Sequence, residues 1–106
     1  MAIVKYRVDS RMLHGQTAAA WGKELHIDEY IVVNADTAND PMQVTLLELA
    51  GTGCEVAVVS PAEAKEIFDA EDFYGDRTFV VFKTIDDAVE IVKMGYHIDE
   101  LSIGGM

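Results

Sequence analysis

At 106 residues, half of them apolar, the chain can build one hydrophobic core and is expected to form a single domain over residues 1–106. Its net charge of −11 excludes general binding to nucleic acid or to an anionic membrane surface, since both call for a basic face. No apolar run is long enough to cross a bilayer, the N-terminus lacks the pattern of a secretory signal, and the single cysteine, Cys54, excludes an internal disulfide, so a cytoplasmic location is expected.

Taken in chain order, the β-branched run Ile3 to Val8 reads as a first strand and Gly15 to Leu25 as the helix that follows it. Between them, Asp9 to Gln16 places His14 at a strand-to-helix junction, beside backbone N–H groups that favour an anion. Arg11 adds a planar donor fork suited to phosphate. Asp9 can accept a hydrogen bond from an imidazole, hold the arginine, or serve as a turn residue. Gly15 permits close backbone approach. Trp21 falls at helical spacing with Ala18 and Leu25 and reads as core, with a partner-facing role left open.

Tyr30 to Val33 reads as the second strand, followed by the Asn34 to Asp36 loop. Asp40-Pro41-Met42-Gln43 supplies an N-cap and a first-turn proline for the next helix, which Gly51 can end. Cys54 to Val59 reads as a strand in which Cys54 is a small buried hydrophobe, and Ser60-Pro61-Ala62-Glu63 opens another helix. The acidic stretch Asp69 to Asp76 reads as a solvated connection. Thr78 to Phe82 is the fourth strand and Lys83 follows it. Thr84 can cap a helix carrying Asp86 and Asp87 in its first turn and ending at Gly95, and Leu101 to Ile103 is the fifth strand.

Five strands alternating with four helices, several of them continuous apolar runs, predict a doubly wound α/β domain with a mainly parallel sheet and helices on both faces. In such a sheet the loops after the strands converge on one edge. The Asp9 to Gln16 loop, Asn34 to Asp36, Ser60, Lys83-Thr84 and Gly104-Gly105 are therefore expected on one rim, with His14, Arg11 and Asp9 as the reacting group and Gly15, Gln16, Asn34, Asp36, Lys83 and Thr84 as phosphate-binding or rim residues. Charge agrees: residues 1–23 hold four basic residues against one acid, whereas residues 24–106 hold four against eighteen. His26 and His97 precede strands and so fall at the opposite edge, exposed or as local caps. Three dispersed histidines make no metal site. Neither a Walker loop, a Gly-x-Gly-x-x-Gly after the first strand, nor a Cys-x-x-Cys pair occurs, which excludes the nucleotide and redox readings those motifs carry.

The segment Arg7-Val8-Asp9-Ser10-Arg11-Met12-Leu13-His14-Gly15-Gln16 resembles the active-site loop of the mannose/fructose/sorbose-type IIB components of the bacterial sugar phosphotransferase system. Ile31 to Pro41 and Ile103-Gly104-Gly105-Met106 resemble later segments of the same family. The resemblance implies that His14 carries phosphate on Nδ1 and that Arg11 binds it. It further implies a phosphorylated IIA component as donor, a sugar held by membrane IIC and IID components as acceptor, and no cofactor. Ala35 and Ser10 stand where the family commonly has acids, so the sugar is not carried over. Family members continue past Met106 with further helix and strand, so the Leu101 strand is expected to be an exposed edge, in a truncated form or one covered by a second copy. The rival from another class is a phospho-receiver or small-ligand regulatory module. It would want an acidic pair after the first strand and an aspartate after the third, where this chain has a basic loop and Ser60-Pro61.

Overall fold

A computed structural model describes residues 2–104, with the side chains of residues 15–17 outside the description. Strands β1 (Ile3–Asp9), β2 (Glu29–Val33), β3 (Glu55–Val59), β4 (Thr78–Phe82) and β5 (Leu101–Gly104) form one sheet in the order β3-β2-β4-β1-β5, every neighbouring pair parallel. Between them run α1 (Gly15–Leu25), α2 (Ala35–Ala38), α3 (Pro41–Ala50), α4 (Pro61–Ala70) and α5 (Ile85–Lys93).

Parallel strands need crossovers, and right-handed crossovers that reverse direction along the sheet place helices on opposite faces. Tyr30, Val32, Phe79 and Val81 accordingly pack with Ala18 of α1 and Leu47 of α3, while Ile31, Val33, Val80 and Phe82 pack with Ala64 and Phe68 of α4 and Ala88 and Ile91 of α5. The central strands β2 and β4 are buried along their whole length, which is why their sequences are continuous rather than alternating. A buried Tyr30 hydroxyl donates to the Ala18 carbonyl at 2.7 Å and pins α1 to the sheet, and burial pushes its pKa up.

The helix starts are those expected. Asp40 accepts from the Met42 and Gln43 N–H groups, and Ser60 with Glu63 and Thr84 with Asp87 form reciprocal capping boxes. Among the described residues the helices number five rather than four. The added element, α2, is a single turn where a loop was expected, because the buried Asn34 Oδ1 accepts from both the N–H and the hydroxyl of Thr37, at 2.9 and 2.7 Å. Several boundaries also move, with β2 starting at Glu29, β3 starting at Glu55 and β5 ending at Gly104. Asp69 and Ala70 belong to α4, which ends at Glu71 in a left-handed conformation, and β1 extends through Asp9, which pairs in register with Gly104.

His26 closes α1 in the left-handed region, and His97 is exposed beside Asp99. The thiol of the half-buried Cys54 donates to the Ile27 carbonyl, and burial pushes its pKa up. Among the described residues β5 pairs only with β1, leaving Ile103 exposed at the sheet edge, and the outer stripe of α5 exposes Ile85, Val89 and Val92. No described helix is long and apolar enough to cross a membrane.

Candidate active site

The site lies at the carboxyl ends of β1, β4 and β2, where the chain leaves β4 toward one face of the sheet and leaves β1 and β2 toward the other. The loop after β1 is tightly folded. The Met12 N–H closes a turn on the Asp9 carbonyl at 2.9 Å, and Met12 itself has φ 59, a left-handed conformation that a bulky side chain adopts at a cost. What holds it there is burial. Met12 and Leu13 both insert into the core beneath α1 and α3, fixing the loop while Arg11 stays outside.

His14 is the N-cap of α1, in an extended conformation, yet its side chain makes no capping hydrogen bond. The imidazole is therefore free for chemistry, with the unsatisfied N–H groups of a helix start beside it. Its Nε2 faces Asp9 Oδ2 at 3.9 Å, and its ring meets the Trp21 indole edge-on at a centroid distance of 6.4 Å. Asp9 is only 2% exposed. Its Oδ1 accepts from the Arg11 backbone N–H at 3.0 Å, and its Oδ2 accepts from Arg7 Nε at 3.4 Å. At 3.9 Å the contact is longer than a hydrogen bond and sets the ring with Nε2 toward the carboxylate.

Arg11 and Lys83 do not touch His14 directly. They line a neighbouring open cleft of about 400 Å³, together with Ser10, Met12, Asp36, Thr37, Asp40 and Gln43. Among the described residues, neither cation has an ion-pair partner. The cleft thus gathers Arg11 and Lys83 with Asp36 and Asp40 next to the histidine loop.

The structure brings Asp9 against His14 and places Arg11, Asp36 and Lys83 in the adjoining cleft. Asn34 and Thr84 it uses otherwise: Asn34 Nδ2 donates to Asp87 Oδ2 at 2.9 Å, and the same oxygen accepts from the Thr84 N–H and hydroxyl. These two residues brace the β2 and β4 loops to each other. Gly15 opens α1 as expected, while the Gln16 side chain, Gly105 and Met106 lie outside the described residues.

Sequence reasoning missed Arg7. Its guanidinium carbon stands 5.1 Å from the centre of the Trp21 ring, and its Nε reaches Asp9. The available signal was strand alternation, since Arg7 and Asp9 are two apart on β1 and share a face.

Residues 3–106 match the sequence model of the family described as the PTS system sorbose subfamily IIB component. The chain belongs to the sorbose-type IIB family of the sugar phosphotransferase system. It is 33% identical over 107 residues to the sorbose-specific EIIB component of Lacticaseibacillus casei, covering all of this chain and 65% of that protein. It is equally similar to the mannose-specific EIIAB component of Escherichia coli K12, of which it covers 33%. The crystal structure of the IIBSor domain of the sorbose permease from Klebsiella pneumoniae superposes with a TM-score of 0.89 at 34% identity, over all of this chain and 66% of that one. The chain thus spans about two thirds of the length of its single-domain relatives, and the IIB fold it shares with them includes the whole His14 loop.

Proposed function

We propose that this IIB chain is a phosphohistidine carrier. It accepts a phosphoryl group on Nδ1 of His14 from a phosphorylated IIA component and passes it to a sugar held by membrane IIC and IID components, working at the cytoplasmic face of the membrane. The observation that carries the reading is the position of His14, uncapped at a helix start with Nε2 turned to a buried carboxylate.

In the first transfer, the Nδ1 lone pair of neutral His14 attacks phosphorus in line. The new N–P bond forms as the donor's N–P bond breaks, and the donor imidazole departs. Asp9 supports the positive charge that develops on the His14 ring through Nε2–H. The N–H groups at the start of α1, joined by Arg11, neutralise the equatorial oxygens, and a well-placed donor of this kind contributes about 3 kcal/mol. In the second transfer a sugar hydroxyl oxygen attacks the same phosphorus, the Nδ1–P bond breaks as the O–P bond forms, the hydroxyl proton passes to water, and His14 leaves as the neutral imidazole. Arg11 is exposed and unpaired among the described residues, so it can follow the phosphoryl group between partners without trapping it in the ground state.

Incubation with phosphoenolpyruvate, the general phosphotransferase proteins and a sorbose- or mannose-type IIA component, read by intact mass, tests the proposal. A single phosphoryl gain, labile in acid and absent from His14→Ala, is the expected result. No gain by a folded sample with an active donor contradicts it.

A further inference from the structure

The Asp9 carboxylate presents one oxygen, Oδ2, to two side chains at once: Arg7 Nε at 3.4 Å and His14 Nε2 at 3.9 Å. Arg7 is itself held on three sides. Its Nε faces Asp9, its guanidinium carbon lies 5.1 Å from the Trp21 ring centre, and its terminal nitrogen fills the space where Gly104 has no side chain. A Cβ on Gly104 would collide with that nitrogen. The same Trp21 ring meets His14 edge-on, so Arg7 touches both groups that flank the imidazole. Because Arg7 and Asp9 alternate onto one face of β1 and Asp9 pairs with Gly104 of β5, the clamp is built from strand register rather than from the rim loops.

A buried carboxylate that loses its cation is left uncompensated at a cost, and the oxygen that Arg7 holds is the one that faces His14. We propose that Arg7 is a positioning residue that acts through Asp9 and Trp21, keeping His14 in the tautomer with the proton on Nε2 and the nucleophilic lone pair on Nδ1. Resting on the phosphocarrier reading above, the inference adds a fourth residue to the machinery. It also explains the glycine at position 104, whose missing side chain makes room for the guanidinium. Arg7 does not need to touch phosphate. Its side chain is 22% exposed and is committed to Asp9 and Trp21.

The test uses the unphosphorylated chain with ¹⁵N-labelled histidine, at a pH well above the ordinary histidine range so that the rings are neutral. His14 is assigned against His14→Ala. Native protein is expected to show His14 almost wholly as the Nε2–H tautomer. Arg7→Met removes the cation, whereas Gly104→Ala keeps it and displaces it. The atom in the way is the end of a flexible side chain, so the Gly104 variant folds even if the Arg7 variant does not.

In each folded variant the Nδ1–H tautomer should rise severalfold, and phosphoryl transfer should slow roughly ten- to a hundredfold, the usual penalty for losing a group that orients a functional histidine. Arg7→Lys, which returns a cation near Oδ2, should recover part of both. An unchanged His14 tautomer in the folded variants overturns the proposal, whatever happens to transfer. If instead the tautomer responds while native protein is never phosphorylated, the positioning role stands and the phosphocarrier reading falls.

Discussion

At the scale of residues, the proposed phosphoryl transfer rests on the placement of His14 against Asp9. The imidazole occupies a position where most side chains would cap the helix, and instead turns Nε2 toward a carboxylate that is 2% exposed. Asp9→Asn keeps the shape and removes the charge proposed to support the ring during transfer. It is expected to lower the rate of phosphoryl gain roughly ten- to a hundredfold without unfolding the chain, as read by rapid-quench mass measurement beside a denaturation curve. Arg11→Ala should cost about a hundredfold or more in the same assay, in line with the loss of one preorganised donor to an oxyanion. Equal rates in either variant would remove that residue from the mechanism.

At the scale of elements, the chain shows which parts of a fold local sequence can announce. Pro41 and Pro61 behind Asp40 and Ser60, and Thr84 ahead of Asp87, mark helix starts that the structure reproduces as caps, because capping is settled within four residues. The extra turn α2 had only Asn34 and Thr37 to announce it, and Asn34 looked like a rim residue. Its side chain is instead consumed by Thr37 and Asp87, 53 residues on, a partner that no local pattern reveals. Alternation put Arg7 on the face of Asp9, but Gly104 meets it only after β1 and β5 pair, and Trp21 only after α1 packs on the sheet. Asn34→Ala should therefore destabilise the fold by about 1–3 kcal/mol in urea unfolding, by leaving a buried carboxylate oxygen and the Thr37 N–H short of partners. Its phosphoryl-transfer rate should stay near native. A native stability with a collapsed rate would return Asn34 to the phosphate site.

For the whole molecule, the proposed site and a buried carboxyl lie at opposite ends of the sheet. The carboxyl edge carries His14 and the cations Arg11 and Lys83, while at the amino edge the buried Glu29 accepts from the Tyr74 N–H and the Thr78 hydroxyl. Burial raises the Glu29 pKa, with Glu55 and Asp72 adding to it against those two hydrogen bonds. A carboxyl whose folded pKa lies above its unfolded value binds more protons in the native state. Stability is then greatest below the unfolded value and falls as pH rises through the folded one. Glu29→Gln should flatten that fall in the range just above the ordinary carboxylate value, and leave the protein as stable or more so at neutral pH. Thermal melts across pH check this, and an unchanged slope would contradict it. The net charge of −11 adds self-repulsion of the same sense, which salt should relieve.

If His14 carries the phosphoryl group, it does so on the nitrogen turned away from Asp9. Nitrogen–phosphorus correlation NMR on the phosphorylated, ¹⁵N-histidine-labelled chain addresses this directly. The expected spectrum shows phosphorus coupled to Nδ1 of His14 with the proton retained on Nε2. Phosphorus on Nε2, or on any residue other than His14, would contradict it.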